Sequence, residues 1–95
     1  MKNNILNVTL KNDELKAHLK YQGTYEISDM VNGKPSWIFH ENKRAIWYDR
    51  GNWNVGFLRN LGTETTKLYS NGTGDLDPAN LPSTKWKYLG GYHLQ

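Results

Sequence analysis

Hydrophobic and polar positions alternate most clearly between residues 32 and 58, a stretch that contains three of the four tryptophans of the chain. Three runs rich in aromatic and β-branched residues, 36–39, 45–48 and 53–58, are separated by polar connections that contain turn-forming residues. Such runs are typical of β-strands, and short polar connections between them are typical of hairpins. The stretch is therefore predicted to fold as a three-stranded antiparallel meander.

The aromatic residues of this meander predict two unlike faces. Trp53, Val55 and Phe57 share one face of the last run, because successive strand side chains point to opposite sides of a sheet. The first two runs have no purely polar side, since Trp37 and Trp47 each stand among apolar neighbours. We expect a sheet that is covered on one face and partly aromatic on the other. The face of each indole depends on a strand register that the sequence leaves open.

The sequence before the meander predicts one strand and one short helix. Residues 6–10 alternate apolar and polar side chains, which indicates a half-buried strand. Asp13 can cap a helix over residues 14–20, where two leucines lie on one face. The alternative, one longer helix over residues 4–20, is disfavoured by the Asn and Thr content.

Further strands are predicted on both sides of the meander, at residues 24–28, 63–70 and 84–89. In the first of them Tyr25 and Ile27 share one side, and in the last Trp86 and Tyr88 are expected to point inward. Residues 71–82 are rich in Gly, Asn and Asp and are expected to form a long surface loop. The predicted fold is mainly β: a small antiparallel sheet or partly open barrel of five to seven short strands, with one short N-terminal helix.

The length of 95 residues predicts a single domain with one modest core. Residues 1–20 are expected to supply the N-terminal strand and helix, and residues 21–95 a tryptophan-rich antiparallel β module. Aromatic residues make up 13% of the chain, so rings are expected to form much of the core.

Composition narrows the cellular setting only slightly. The chain has no cysteine, which slightly favours a reducing, intracellular compartment. It has no apolar leader and no apolar stretch long enough to span a membrane, so neither a signal peptide nor membrane insertion is expected. The net charge is +3, but the basic residues are scattered among acidic ones, which disfavours a nucleic-acid partner.

Candidate chemistry is sparse. The three histidines are not at the spacing of zinc ligands, and no cysteine can join them. Asn71, Thr73, Asp75 and Asp77 follow the spacing of calcium ligands, but Leu76 stands where an EF-hand loop needs glycine. No nucleophile motif occurs, so the chain is predicted to be a non-enzymatic protein with no catalytic residues and no cofactor.

Several motifs occur in a recognisable order: Gly23-x-Tyr25, Asn32-Gly33-Lys34-Pro35-x-Trp37, Ile46-Trp47-Tyr48 and Trp53-x-Val55-Gly56. This order resembles a small Trp/Tyr-rich all-β repeat module of large eukaryotic multidomain proteins, over roughly residues 21–90. The resemblance implies an accessory or interaction domain and no catalytic residues. Residues 33–47 are also locally similar to a WW domain, although the N-terminal Leu-Pro of that family is missing and the spacing between the tryptophans is too short.

The aromatic meander supplies the candidate binding site. Exposed rings beside a tight turn can anchor a protein partner or stack on a sugar, and tryptophan and tyrosine are frequent hot-spot residues. The candidate partner-binding residues are Trp37, Trp47, Tyr48, Asp49, Asn52, Trp53 and Asn54. The leading hypothesis is a module that docks a protein partner through this sheet face. The alternatives are a carbohydrate-binding module and a structural or homo-oligomerisation unit, the latter through residues 6–20.

Overall fold

In the part of the chain that the structure describes, seven antiparallel strands form one sheet that curls into half a barrel. The computed structural model describes residues 4–10, 21–63, 68–70, 75, 77–81 and 92–94. The strands are β1 (Ile5–Leu10), β2 (Gly23–Val31), β3 (Lys34–Phe39), β4 (Arg44–Asp49), β5 (Asn52–Phe57), β6 (Leu68–Ser70) and β7 (Tyr92–Leu94). Their order across the sheet is β6-β5-β4-β3-β2-β1-β7. The prediction of a mainly β, partly open structure is therefore confirmed.

The predicted meander is present as β3, β4 and β5. Trp37 pairs with Ile46 across β3 and β4, and Ile46 pairs with Val55 across β4 and β5. Strand β2 is longer than predicted, because it continues through a bulge to Val31. The predicted helix at residues 14–20 and the predicted strand at residues 84–89, with Trp86 and Tyr88, lie outside the described residues.

Two hairpins use two-residue turns in which both residues have positive φ. Asn32 and Gly33 have φ of 54° and 87°, and Arg50 and Gly51 have φ of 51° and 86°. Turns of this kind match the right-handed twist of paired strands, which explains why they connect β2 to β3 and β4 to β5. Asn-Gly is the preferred pair for such a turn, whereas arginine at the first position is unusual.

The inner face of the sheet carries the larger core. This core contains nine residues that are at most 4% exposed, seven from the strands and two, Tyr21 and Leu81, from outside them: Leu6, Val8, Tyr21, Tyr25, Trp37, Ile46, Trp53, Val55 and Leu81. The Trp37 and Trp53 rings meet edge to face, with centroids 5.9 Å apart. Burial of one such ring stabilises the fold by about 4–6 kcal/mol before conformational entropy is counted.

The outer face carries a smaller core of Ile38, Ala45 and Trp47. After β5 the chain turns through a 3-10 helix at Leu58–Asn60 and lies over this face. The Trp47 indole nitrogen Nε1 donates a hydrogen bond to the backbone oxygen of Thr63 at 2.7 Å. Both faces of the meander are thus covered at its centre, which corrects the expectation of one exposed aromatic face. The outer face is covered because the segment after β5 packs on it.

Candidate functional site

The predicted binding residues do not form one surface. Three of the rings, those of Trp37, Tyr48 and Trp53, lie on the inner face, and the ring centroids of Tyr48 and Trp53 are 5.9 Å apart. Trp47 lies on the outer face. All three indoles have 0% exposure. The expectation that these rings are presented to solvent is therefore wrong, because the sheet curls around two of them and residues 58–63 cover the third.

The polar members of the predicted site hold the β4–β5 hairpin in place. Asn54 is 2% exposed, and its side chain donates to the Asn52 backbone oxygen at 3.4 Å. The Asp49 oxygen Oδ1 accepts from the Asn32 side-chain nitrogen Nδ2 at 3.4 Å, and its Oδ2 lies 3.6 Å from Arg50 Nε. These contacts connect neighbouring turns of the fold.

Asn32 joins three parts of the chain at this end of the sheet. Besides its contact with Asp49, its Nδ2 donates to the backbone oxygens of Tyr48 at 2.8 Å and Gly62 at 3.1 Å. The β2–β3 turn is thus bound to the end of β4 and to the segment that covers the outer face. The Asn-Gly-Lys-Pro motif therefore has a structural role here.

An open cavity of about 560 Å³ lies at the opposite end of the β4–β5 hairpin. It is lined by residues 41–44, from the β3–β4 connection and the start of β4, and by residues 57–59, from the end of β5. The two walls are tied by a hydrogen bond from the Leu58 backbone N–H to the Lys43 oxygen at 2.8 Å. Lys43 adopts a φ of 55°, which turns the chain back toward β4. We call this site the Phe57 cavity.

Arg44 is the unusual residue of the Phe57 cavity. It is only 8% exposed, and its guanidinium carbon lies 4.7 Å from the Tyr21 ring centre and 4.4 Å from that of Phe57. Its Nη1 donates to the backbone oxygens of Asn42 at 2.7 Å and Lys43 at 3.4 Å. Its Nε is buried and has no hydrogen-bond partner. Arg44 is held by two aromatic rings while one of its donors remains unused.

A second guanidinium borders the same ring. Arg59 is exposed, and its guanidinium carbon lies 4.6 Å from the Phe57 ring centre. Together with Lys43 and Arg44 it gives the cavity three cationic residues, against one acidic residue, Glu41. An anion entering the cavity would therefore meet a favourable potential.

The charge of Arg44 also reaches the inner core. Burial raises the pKa of the Tyr25 hydroxyl well above its usual value, and the neighbouring Arg44 charge opposes that rise. The hydroxyl donates to the Tyr21 backbone oxygen at 2.7 Å. Tyr25 is therefore a neutral, hydrogen-bonded core residue at physiological pH.

The Phe57 cavity was not predicted from the sequence. The pairing of Arg44 with Phe57 across β4 and β5 brings this basic residue from the polar connection before β4 against an aromatic ring. The 3-10 helix after β5 then adds Arg59. The adjacent Lys43 and Arg44 were the one sign of this site in the sequence. Their contact partners could not be predicted, because these depend on the strand register.

The described residues offer no metal centre. Within them, no three His, Asp or Glu side chains lie close enough to hold an ion. Asp77 caps the 3-10 helix at Pro78–Asn80, since its Oδ1 accepts from the Ala79 N–H at 3.0 Å, and Asp75 is exposed. Asn71 and Thr73, the other residues with calcium-ligand spacing, lie outside the described part of the chain.

None of the helices in the described ranges combines the length and the apolar character needed to cross a membrane.

Comparisons with protein-family models, curated proteins and solved structures found no match to this chain. The resemblance to a Trp/Tyr-rich β repeat module stays a prediction.

Proposed function

We propose that this domain is a non-enzymatic protein-interaction module that docks a partner through the Phe57 cavity. The observation that carries the proposal is a nearly buried arginine, Arg44, in the wall of an open cavity that also contains Phe57 and Leu58. Aromatic residues and arginine are enriched at the energetic centres of protein interfaces. The function class is the one predicted from the sequence, a protein-interaction module. The proposed docking surface is now at the end of the β4–β5 hairpin opposite its turn, and no longer at the buried indoles.

The size of the cavity defines what it can accept. A volume of about 560 Å³ lies in the range of small-molecule pockets, and it suits one or two side chains of a partner. We therefore propose that the partner presents a short peptide segment whose side chain packs on Phe57 and Leu58.

A carbohydrate-binding role has weaker physical support. Sugar stacking needs flat aromatic faces that reach solvent, and Trp37, Trp47 and Trp53 all have 0% exposure. Tyr48 is half-buried and lies beneath Lys34, whose Nζ is 5.2 Å from the ring centre. Within the described residues, no tryptophan offers a solvent-exposed ring for sugar stacking.

Self-association has one observation in its favour. Ile5, Ile27 and Met30 are exposed apolar residues of β1 and β2, with exposed fractions of 51%, 40% and 64%. Sedimentation equilibrium of the intact chain and of a Met30→Lys variant would test this second candidate. A dimer that dissociates on substitution supports it, and a monomer at all concentrations excludes it.

The docking proposal can be tested with a displayed random peptide library. Peptides selected on the intact domain are titrated into ¹⁵N-labelled protein, and the expected amide shifts fall within residues 41–44 and 57–59. Arg59→Glu should abolish binding, whereas Arg50→Glu, the same change at the opposite end of the hairpin, should leave it intact. Selected peptides whose shifts map elsewhere, or a library that yields no binder, would overturn the proposal.

A further inference from the structure

The geometry of Arg44 points to a specific ligand chemistry, and we propose that the Phe57 cavity binds a carboxylate group of the partner segment. The inference rests on the proposed docking function and adds the chemical group that is recognised. It assigns separate roles to the residues of the cavity: Arg44 pairs with the anion, Arg59 and Lys43 attract it, and Phe57 packs against the adjoining apolar part of the ligand.

Arg44 has one bonded and one unbonded hydrogen-bond donor in the cavity wall. Its Nη1 is occupied by the backbone oxygens of Asn42 and Lys43, whereas its Nε is buried with no partner. A buried donor without a partner is unfavourable by about 1–3 kcal/mol, and more when it carries charge. The edge formed by Nε and Nη2 is a planar fork that matches the two oxygens of a carboxylate. A carboxylate at this edge would satisfy the unused donor.

The residues that line the cavity carry a net positive charge. Within the described ranges, neither Asp nor Glu forms an ion pair with Lys43, Arg44 or Arg59. Glu41 lines the same cavity, which therefore has three basic residues and one acidic residue in its wall. Three cations without a paired acid favour an anionic ligand, and the low polarity beside Phe57 strengthens that attraction.

The cavity suits a carboxylate better than a phosphate. A phosphate dianion has three oxygens to satisfy, and one arginine edge supplies only two donors. Glu41 at the cavity wall repels a dianion more strongly than a monoanion. These features favour a carboxylate.

Access requires a local movement. The Nε atom is closed to water, so the ligand reaches it only when a neighbouring side chain shifts. Arg59 contacts the same Phe57 ring and is exposed, so its side chain can move at little energetic cost. Arg59, an exposed cation in the cavity wall, attracts the carboxylate before the anion reaches Arg44.

The test uses small probes whose apolar part is constant. Phenylacetate, its neutral analogue phenylacetamide and phenyl phosphate are titrated into ¹⁵N-labelled intact chain while the Arg44 Nε–H signal is followed. We expect phenylacetate to shift this signal saturably and to bind at least about tenfold more tightly than phenylacetamide, the size expected for hydrogen bonds to a charged group. Equal binding of the two probes, or no shift with any probe, would overturn the carboxylate site. Tighter binding of phenyl phosphate would also overturn it, in favour of a phosphate site.

Two variants separate the role of the arginine fork from that of charge. Arg44→Lys keeps the charge but removes the fork, and it should weaken phenylacetate binding at least about tenfold. If Arg44→Lys does not fold, Arg59→Gln serves as the second variant, with Arg50→Gln as its matched control. Arg59→Gln should weaken phenylacetate and leave phenylacetamide unchanged. Equal effects of Arg59→Gln and Arg50→Gln would contradict the inference.

A final comparison identifies the source of the carboxylate. Two tripeptides of the same sequence are compared, one with a free C-terminus and one amidated, together with an amidated peptide that carries an aspartate side chain. The peptide with the higher affinity identifies a chain end or an acidic side chain as the ligand. If phenylacetate fails but library peptides still map to the Phe57 cavity, the carboxylate inference falls and the docking proposal stands.

Discussion

Trp47 donates its indole N–H to the backbone oxygen of Thr63 at 2.7 Å, and this bond fastens the segment after β5 to the outer face of the sheet. The same segment packs Leu58 and Leu61 against the outer core of Ile38, Ala45 and Trp47. Its own turns are closed by hydrogen bonds from the Leu61 N–H to Leu58 and from the Thr63 N–H to Asn60, each 3.0 Å long. Trp47 therefore acts as an anchor for the cover of the outer face.

Replacing Trp47 with phenylalanine should loosen this cover. The change removes the bond to Thr63 and leaves a cavity, so we expect the free energy of unfolding to fall by about 1–3 kcal/mol. Native-state hydrogen exchange should accelerate at the Leu61 and Thr63 amides. Trp53→Phe is the matched control on the inner face, and it should destabilise the domain without selective exchange in residues 58–63. The same exchange pattern in both variants would contradict an anchoring role.

The three indoles of the meander should be inaccessible to a quencher in solution. Trp86 lies outside the described residues, so the measurement uses a Trp86→Phe variant, whose fluorescence comes only from Trp37, Trp47 and Trp53. Each of these has 0% exposure, and iodide should therefore quench little of the emission. Efficient quenching in the folded variant would show that an indole reaches solvent, and the aromatic sheet face would then again be a candidate docking surface.

Local patterning predicted most of the sheet. Alternation in residues 6–10 and 36–58 and the turn pairs at Gly33 and Gly51 are local signals, and each corresponds to a strand or turn of the structure. The continuation of β2 to Val31 was missed because Ser28 and Asp29 are polar, and their place at a bulge depends on pairing with β3. Local sequence carries little information of this kind.

The candidate site was harder to predict, for the same physical reason. Burial of Trp47 depends on a segment that begins eleven residues later and folds back over the sheet. The Phe57 cavity depends on the register that sets Arg44 opposite Phe57. Both are long-range relationships. A composition rich in tryptophan indicated aromatic packing correctly, but it did not separate core rings from exposed rings.

The β4–β5 turn offers a stabilising substitution. Arg50 has a φ of 51°, a region that is unfavourable for arginine and well tolerated by asparagine. Arg50→Asn should raise the free energy of unfolding by about 0.5–1 kcal/mol in urea titrations. The 3.6 Å contact with Asp49 offsets little of this gain, because the Arg50 side chain is 74% exposed.

The reverse change at the β2–β3 turn is the control. Asn32→Arg should destabilise the domain by more than Arg50→Asn stabilises it. The reason is that Asn32, with a φ of 54°, also donates to the backbone oxygens of Tyr48 and Gly62. A stability unchanged in both variants would refute the backbone argument.

Stability should fall at alkaline pH through Tyr25. Burial raises the pKa of this hydroxyl in the folded state, while in the unfolded chain it titrates near its usual value of about 10. Below pH 10 both states keep the proton, so Tyr25 adds no pH dependence there. Above it the unfolded state loses the proton first. The free energy of unfolding should then decrease by up to about 1.4 kcal/mol per pH unit until the folded-state pKa is reached.

Tyr25→Phe isolates this effect from the other tyrosines. The variant loses the 2.7 Å bond to the Tyr21 oxygen, so it should be less stable at pH 7 by about 1 kcal/mol. Above pH 10 its urea-unfolding stability should decline less steeply than that of the parent, and the two curves should converge. Parallel curves over the alkaline range would exclude Tyr25 as the titrating group.

Gly23 and Phe39 form a close pair on the inner face. A Cβ atom added at Gly23 would lie 2.6 Å from Phe39 Cζ, so any larger residue displaces the ring. The φ of Gly23 is 158°, a backbone conformation that L side chains rarely adopt, so both the backbone and the lack of space restrict this position. The Phe39 ring in turn packs on Tyr25, with centroids 5.4 Å apart. Displacement of Phe39 therefore disturbs the inner core as well.

Gly23→Ala should accordingly lower the free energy of unfolding by about 1–3 kcal/mol, as overpacking does in other cores. Phe39→Leu shortens the opposing side chain and opens the space that alanine needs. In a double-mutant cycle measured by urea unfolding, Gly23→Ala should cost at least about 1 kcal/mol less in the Phe39→Leu background than in the parent. Additive effects would mean that alanine is tolerated without contact with Phe39, and the cause of any destabilisation would then lie in the β2 backbone.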